Sequence, residues 1–254
     1  MSHFRVFLKK ELIEYSRNYK LWIMLTVFLI FGLMNPLTAK LTPELLANLL
    51  PEGVTITLPE PSSLDSWAQF HKNITQMGLI VTVLVFGGVL SSELNKGTLI
   101  NLLTKGLSRT AVIYAKYAAM LTIWSCSLLT SFIVTWLYTI YLFPDGKSAN
   151  LLMALIYLWL FGAFLLAVLL TAASLVTSSY GSLLTTGAVV VILLMLNIFP
   201  SVQKFNPISL VSKNLDLITQ TLEVSSLYTA AMVTVFSAAV LLAAGVLVFR
   251  KKQL

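Results

Sequence analysis

Long uncharged runs separated by short polar stretches set the pattern of this chain. Residues 21–39, 73–92, 117–143 and 224–249 carry no charged side chain, nor does any residue from 148 to 203. A helix rises about 1.5 Å per residue, so about 20 apolar residues cross a bilayer core. Each of the first four runs therefore predicts one crossing. The run from 148 to 203 would be about 84 Å long as a single helix, too long for one span. A break near Thr177-Ser178-Ser179-Tyr180-Gly181 divides it into spans at 151–176 and 182–199. The expected fold is all-α, with six transmembrane helices.

The polar stretches carry patterns of their own. In residues 4–20, Phe4, Leu8, Leu12, Tyr15 and Tyr19 share a helical face, which predicts a basic amphipathic helix in the membrane interface. Asn35-Pro36 predicts a kink or an exit from the first span. The loop 40–72 holds four prolines. Its Leu45, Leu46, Leu49 and Leu50 suggest a short surface helix, and residues 54–58 a short strand. Gly78, Gly87 and Gly88 allow close approach of a neighbouring helix. Tyr157 and Trp159 read as lipid- or interface-facing anchors. Residues 200–223 form a second long polar segment, with an amphipathic helix expected from Ile208 to Leu222.

Composition fixes the class. Charged residues are 11% of the chain and hydrophobic ones 57%, against about 25% charged in soluble domains. This is an integral membrane protein. The net charge of +7 is then a signal of topology and not of nucleic-acid binding. With six spans, twelve of the seventeen Lys and Arg residues fall on the side of the termini, which predicts both termini in the cytoplasm. No span carries a charged residue or histidine in its middle, which argues against an ion-coupled carrier. His3 and His71 lie in separate polar segments, so a histidine metal site is not expected, and the lone Cys126 is read as a packing residue. There is no nucleophile elbow and no phosphate loop. If ATP drives this protein, it is hydrolysed on another chain.

The stretch from Ser91 to Arg109 is a polar, basic island between two spans. Leu99, Leu102, Leu103 and Leu107 give it a helical apolar stripe. Gly97 suits the turn into a surface helix, Thr98 is placed to cap that helix, and Gly106 to close it. Glu93, Lys96-Gly97-Thr98, Leu102-Leu103 and Ser108-Arg109 resemble the loop after the second span in ABC-2 type transporter permeases, with Lys105-Gly106-Leu107 where many members have a proline. Lys10-Glu11-Leu12 and Arg17-Asn18 resemble the family's elbow helix.

The resemblance implies an elbow helix at 4–20, an outer loop at 40–72, a coupling loop at 93–115 and an outer fold-back segment at 200–223. It implies that the coupling loop docks on an ATPase, together with the elbow helix and a second inner turn at Ser178, Ser179, Tyr180 and Gly181. Glu93 is then a salt bridge or hinge point, and Arg109 a partner for lipid phosphate, the ATPase or Glu93. The implied assembly pairs two permease chains, expected as a homodimer, with two ATPase chains that hold ATP and Mg. This chain would bind no cofactor and no nucleic acid. The implied function is ATP-driven export across a bacterial cytoplasmic membrane. The first outer loop resembles those of Gram-positive permeases that export small amphipathic peptides such as phenol-soluble modulins. Drugs, lipids or ions are alternative cargoes, and a non-transporting immunity or binding protein is an alternative function.

Overall fold

Every regular element is a helix among the described residues, 3–49, 60–176 and 178–252 of the computed structural model, with side chains described except at 45–49. The suggested strand at 54–58 and the expected break residue Thr177 lie outside them. Helix α1 (His3–Arg17) is followed by α2 (Lys20–Leu49). The second long helix is built from α3 (Ser63–Asn73), a π-helical turn (Ile74–Gly78), α4 (Leu79–Phe86) and, after a short turn, α5 (Ser91–Asn95). The short α6 (Thr98–Thr104) precedes α7 (Arg109–Leu142), α8 (Leu151–Leu175) and α9 (Ser179–Leu196). Three small helices follow, α10 (Pro200–Gln203), α11 (Ser209–Ser212) and α12 (Asn214–Ile218). A 3₁₀ turn (Val224–Leu227) leads into α13 (Tyr228–Lys251).

Six of these helical stretches are long and apolar enough to cross a membrane: Lys20–Glu44, Ser63–Asn95, Arg109–Leu142, Leu151–Leu175, Ser179–Leu196 and Val224–Lys251. Several begin or end elsewhere than the uncharged runs do. Pro36 and Pro43 lie inside α2, which continues to Leu49, so Asn35-Pro36 does not end the helix. The second stretch starts at Ser63 because Trp67, Phe70 and His71, within the expected outer loop, are buried on one face of α3. Residues 109–115, expected in the coupling loop, form the first two turns of α7.

Helix α8 is the centre of the bundle, buried along most of its length from Ala154 to Ser174. It packs on α7, α9 and α13. Gly162 lets α7 and α8 meet at the Trp124 side chain, and Trp124 Nε1 donates to the Trp159 carbonyl at 3.2 Å. Tyr157 and Trp159 bond to neighbouring parts of the bundle. Tyr157 is buried and donates to the Val224 carbonyl at 3.0 Å, while Trp159 donates to Ser125 Oγ at 2.8 Å. Their polar tips find partners between helices, because a buried indole or phenol without one would be costly.

A polar seam joins α2, α3 and α7. Asn35 is fully buried; its Nδ2 donates to Thr135 Oγ1 at 3.3 Å, and its Oδ1 accepts from Asn73 at 2.8 Å. Ser66 and Thr139 share a hydrogen bond of 2.6 Å. Such bonds hold spanning helices together where lipid supplies no hydrophobic drive.

The two ends of the bundle differ. At one end Asp145 accepts from the Ser63 amide at 2.9 Å, and Asn150 donates to the Leu217 carbonyl. There the 200–223 segment folds as α10, α11 and α12 instead of one continuous amphipathic helix, and its Leu210, Val211, Leu217 and Ile218 are buried. The other end carries α1, α6, the start of α7 and the end of α13.

Candidate coupling site

The site grows from three helix surfaces at that second end. In α1 the buried positions are Phe7, Glu11 and Tyr15, spaced four apart. Phe4, Leu8 and Leu12 only flank this stripe, and Tyr19, expected on the apolar face, is 70% exposed at the elbow with φ of 59°. In α7 a stripe of the same spacing runs Val112, Lys116, Met120 and Trp124, all fully buried. Glu93, in α5, points into the space between them.

Their charges form one cluster. Lys116 Nζ lies 3.0 Å from both carboxylate oxygens of Glu11 and 3.0 Å from Glu93 Oε2. Lys10 Nζ lies 2.7 Å from Glu93 Oε1 and 3.0 Å from Glu11 Oε1, and also pairs with Glu14. Burial works against the charge on Lys10, yet its hydrogen bonds to Glu14 and Glu93 carry the ammonium above the ordinary lysine range. Burial, aided by the Glu11 charge, pushes the Tyr15 phenol well above its usual value, so it stays neutral. The carboxylates of Glu11, Glu14 and Glu93 come within 4.8 Å of one another, a spacing a cation could bridge. Two ammonium groups, Lys10 and Lys116, already supply most of that countercharge.

Below the cluster hangs α6. Gly97 adopts φ of 69°, a left-handed conformation that glycine takes without strain, and it is the residue that precedes the helix. Thr98 is therefore not the cap. It is the first helical residue, and its hydroxyl donates to the Glu93 carbonyl at 3.3 Å. At the far end Gly106 (φ 92°) closes a Schellman turn, with Leu107 N bonding Leu102 O at 3.2 Å and Gly106 N bonding Leu103 O at 3.0 Å. Leu99 is fully buried, and Leu102, Leu103 and Leu107 pack against the core, which leaves Lys96, Thr98, Asn101, Thr104 and Lys105 exposed.

Two further contacts reach this end. Ser178 Oγ caps α9 by accepting from the Gly181 amide at 2.9 Å, and Ser179 Oγ shares a 2.7 Å hydrogen bond with Ser91 Oγ in α5. Ser182 adds a bond to the Gly87 carbonyl at 2.8 Å, while Tyr180 is exposed. Arg109 turns away from Glu93. Its Nη1 donates to the carbonyls of Phe249, Arg250 and Lys252 at 2.7–2.9 Å, closing the C-terminal end of α13 with a cation. Replacing Arg109 with glutamine is expected to free that end. Amide exchange from 245 to 252 should quicken about tenfold, the loss of a hydrogen bond or two at about 1 kcal/mol each; unchanged exchange would show the carbonyls to be held otherwise.

Of the residues expected in the site, the structure thus joins Lys10, Glu11 and Glu93 directly, and ties Thr98, Gly97 and Ser179 to them through α5. Arg17 and Lys96 stay outside the cluster, Leu102 and Leu103 face inward, and Arg109, at the start of α7, bonds the end of α13. Sequence reasoning left out Lys116, Ser91 and Ser182. The available signal for Lys116 was its place four residues from apolar Val112 and Met120.

These six apolar helices, with a short exposed helix slung from a buried ionic cluster, define a multi-pass membrane protein. Residues 8–197 match the model of the ABC-2 family transporter proteins, about three quarters of the chain, and the chain belongs to that family. It is a membrane transport component. It is also similar to an uncharacterized transmembrane protein, YxlG, of Bacillus subtilis (strain 168), with 23% identity over 145 residues. That alignment covers 56% of this chain and 56% of YxlG, so the chain spans little more than half of that relative.

Proposed function

We propose that this chain is the permease subunit of an ATP-driven ABC exporter, and that α6 is the element through which a separate ATPase moves the spans. The observation that supports this reading is the ionic cluster. A push on α6 reaches Glu93 through one short turn, and Glu93 is bonded to the elbow helix through Lys10 and to α7 through Lys116. A displacement there moves three helices as one body. The exposed charged residues of α1 and of 91–109 are Arg5, Lys9, Arg17, Lys96 and Lys105, all basic, which suits an acidic docking surface on the ATPase. ATP and Mg belong to that partner, present in two copies beside two permease chains, and both termini face the cytoplasm of a bacterial cell. An apolar groove of about 620 Å³ between α4, α8 and α9, lined by residues such as Leu79, Val83, Phe161 and Leu183, suits amphipathic or lipophilic cargo, with small amphipathic peptides first.

The test is co-expression with candidate ABC ATPases, purification in detergent, and ATP hydrolysis with and without an amphipathic peptide. Wild type is expected to form a stable complex whose hydrolysis rises with peptide. Glu93→Ala and Gly97→Pro should keep basal hydrolysis and lose the response. A complex that ignores peptide discards the cargo, and failure of every ATPase to associate favours a binding or immunity protein that does not transport.

A further inference from the structure

A groove of about 1010 Å³ opens between the elbow turn, α4 and the start of α6. Four cations line it, and among the described residues three have no carboxylate partner: Arg17 at the end of α1, Lys20 at the start of α2, and Lys96 between α5 and α6, the fourth being the paired Lys10. Lys20 is half-buried, and its Nζ lies 5.2 Å from the centre of the Tyr15 ring, without a hydrogen bond. Two carboxylates, Glu14 and Glu93, also face the groove, but both are engaged by Lys10, and Glu93 by Lys116 as well. The cavity is therefore positive where it is unpaired. Its remaining wall is mixed: Asn18, Ser92 and Thr98 are polar, while Ile13 on α1 and Val85 and Val89 at the end of the second span form an apolar strip.

We infer that this groove is a binding site for an anionic phospholipid, with the headgroup phosphate on Arg17, Lys20 and Lys96 and the acyl chains along Ile13, Val85 and Val89. Depth favours a lipid over a free anion. Lys20 begins the first apolar stretch and Lys96 follows the end of the second, so both stand at the level where spans leave the hydrocarbon. Basic side chains at that level, Lys20 partly buried and Arg17 and Lys96 exposed, attract acidic headgroups. An occupant would bridge the elbow to the chain entering α6, so leaflet charge would bear on the element that α6 hangs from. This site does not depend on the ATPase reading, and of the basic surface offered there it takes Arg17 and Lys96, leaving Arg5, Lys9 and Lys105.

The full chain, purified in a neutral detergent, would be titrated with phosphatidylglycerol or phosphatidylcholine, and retained lipid counted by native mass spectrometry. Phosphatidylglycerol should be held preferentially. The preference should fall about fivefold for each cation removed in Arg17→Gln, Lys20→Gln and Lys96→Gln, the ratio equivalent to about 1 kcal/mol per basic residue at a membrane surface. Lys147→Gln, Lys204→Gln and Lys213→Gln, at the other end of the bundle, should leave it unchanged and report on folding. Equal retention of both lipids, or a preference that survives the triple substitution, overturns the site. Displacement of the lipid by equimolar inorganic phosphate overturns the lipid assignment in favour of a free anion.

Discussion

Lys116→Met is expected to lower stability by about 3–5 kcal/mol, the cost of leaving a buried ion pair with one partner missing. Lys116 is fully buried, and it answers both oxygens of Glu11 and one of Glu93. Removing it leaves the buried Glu11 and the nearly buried Glu93 with the more exposed Lys10 as their remaining cation. The thermal unfolding of the detergent-solubilised chain would show the loss as a large drop in midpoint. Lys10→Met should do far less, because that side chain is 37% exposed and solvent screens what it gives up. Adding Glu11→Gln to Lys116→Met should restore part of the stability, since the uncompensated charge goes with it. Equal, small effects of Lys10→Met and Lys116→Met would show that the cluster is hydrated and does not bind the three helices together.

Gly162→Leu is the second large effect. A Cβ at this position would sit 2.3 Å from two ring atoms of Trp124 and 2.7 Å from its Nε1. The ring cannot easily retreat. It is fully buried, bonded to the Trp159 carbonyl, and set edge-on to Phe28 with ring centres 5.7 Å apart. Overpacking of this kind costs about 1–3 kcal/mol, and loss of the indole hydrogen bond about 1 kcal/mol more. Gly187→Ala is the matched comparison, because nothing lies within 4 Å of the new methyl and alanine favours the helix. It should be neutral or mildly stabilising. Trp124→Phe in the Gly162→Ala background should recover stability if the clash is with the indole. A Gly162→Leu chain that unfolds at the wild-type midpoint would mean that α7 and α8 separate there without cost.

Much of the architecture was legible before any coordinates. Six spans follow from uncharged runs, because hydrocarbon admits no unpaired backbone and few charges, and run length translates directly into membrane thickness. Gly97 and Gly106 were also readable, since left-handed turns at both ends of a short leucine-striped segment leave glycine as the natural residue. Helix ends were less so. Ser63–Asn73 looks like loop by composition, yet Trp67, Phe70 and His71 are buried in a helix that packs on α2, α7 and α12, and that burial extends the second span.

The partners of the charged residues could not be read in advance. Glu11 and Lys116 are 105 positions apart and look, locally, like solvated residues near a membrane surface. Hydrophobic patterning treats each as polar and assigns it outward. Arg109 was likewise left with three possible partners, and the carbonyls at the end of α13 were not among them. The chain's own pattern determined its class, its span count and the place of the hanging helix, because those depend on short-range periodicity and on transfer into lipid. The pairing of charges waited on the packing of α1 and α5 against α7, because a buried ion pair is favourable only when the folded chain brings both members to one desolvated point.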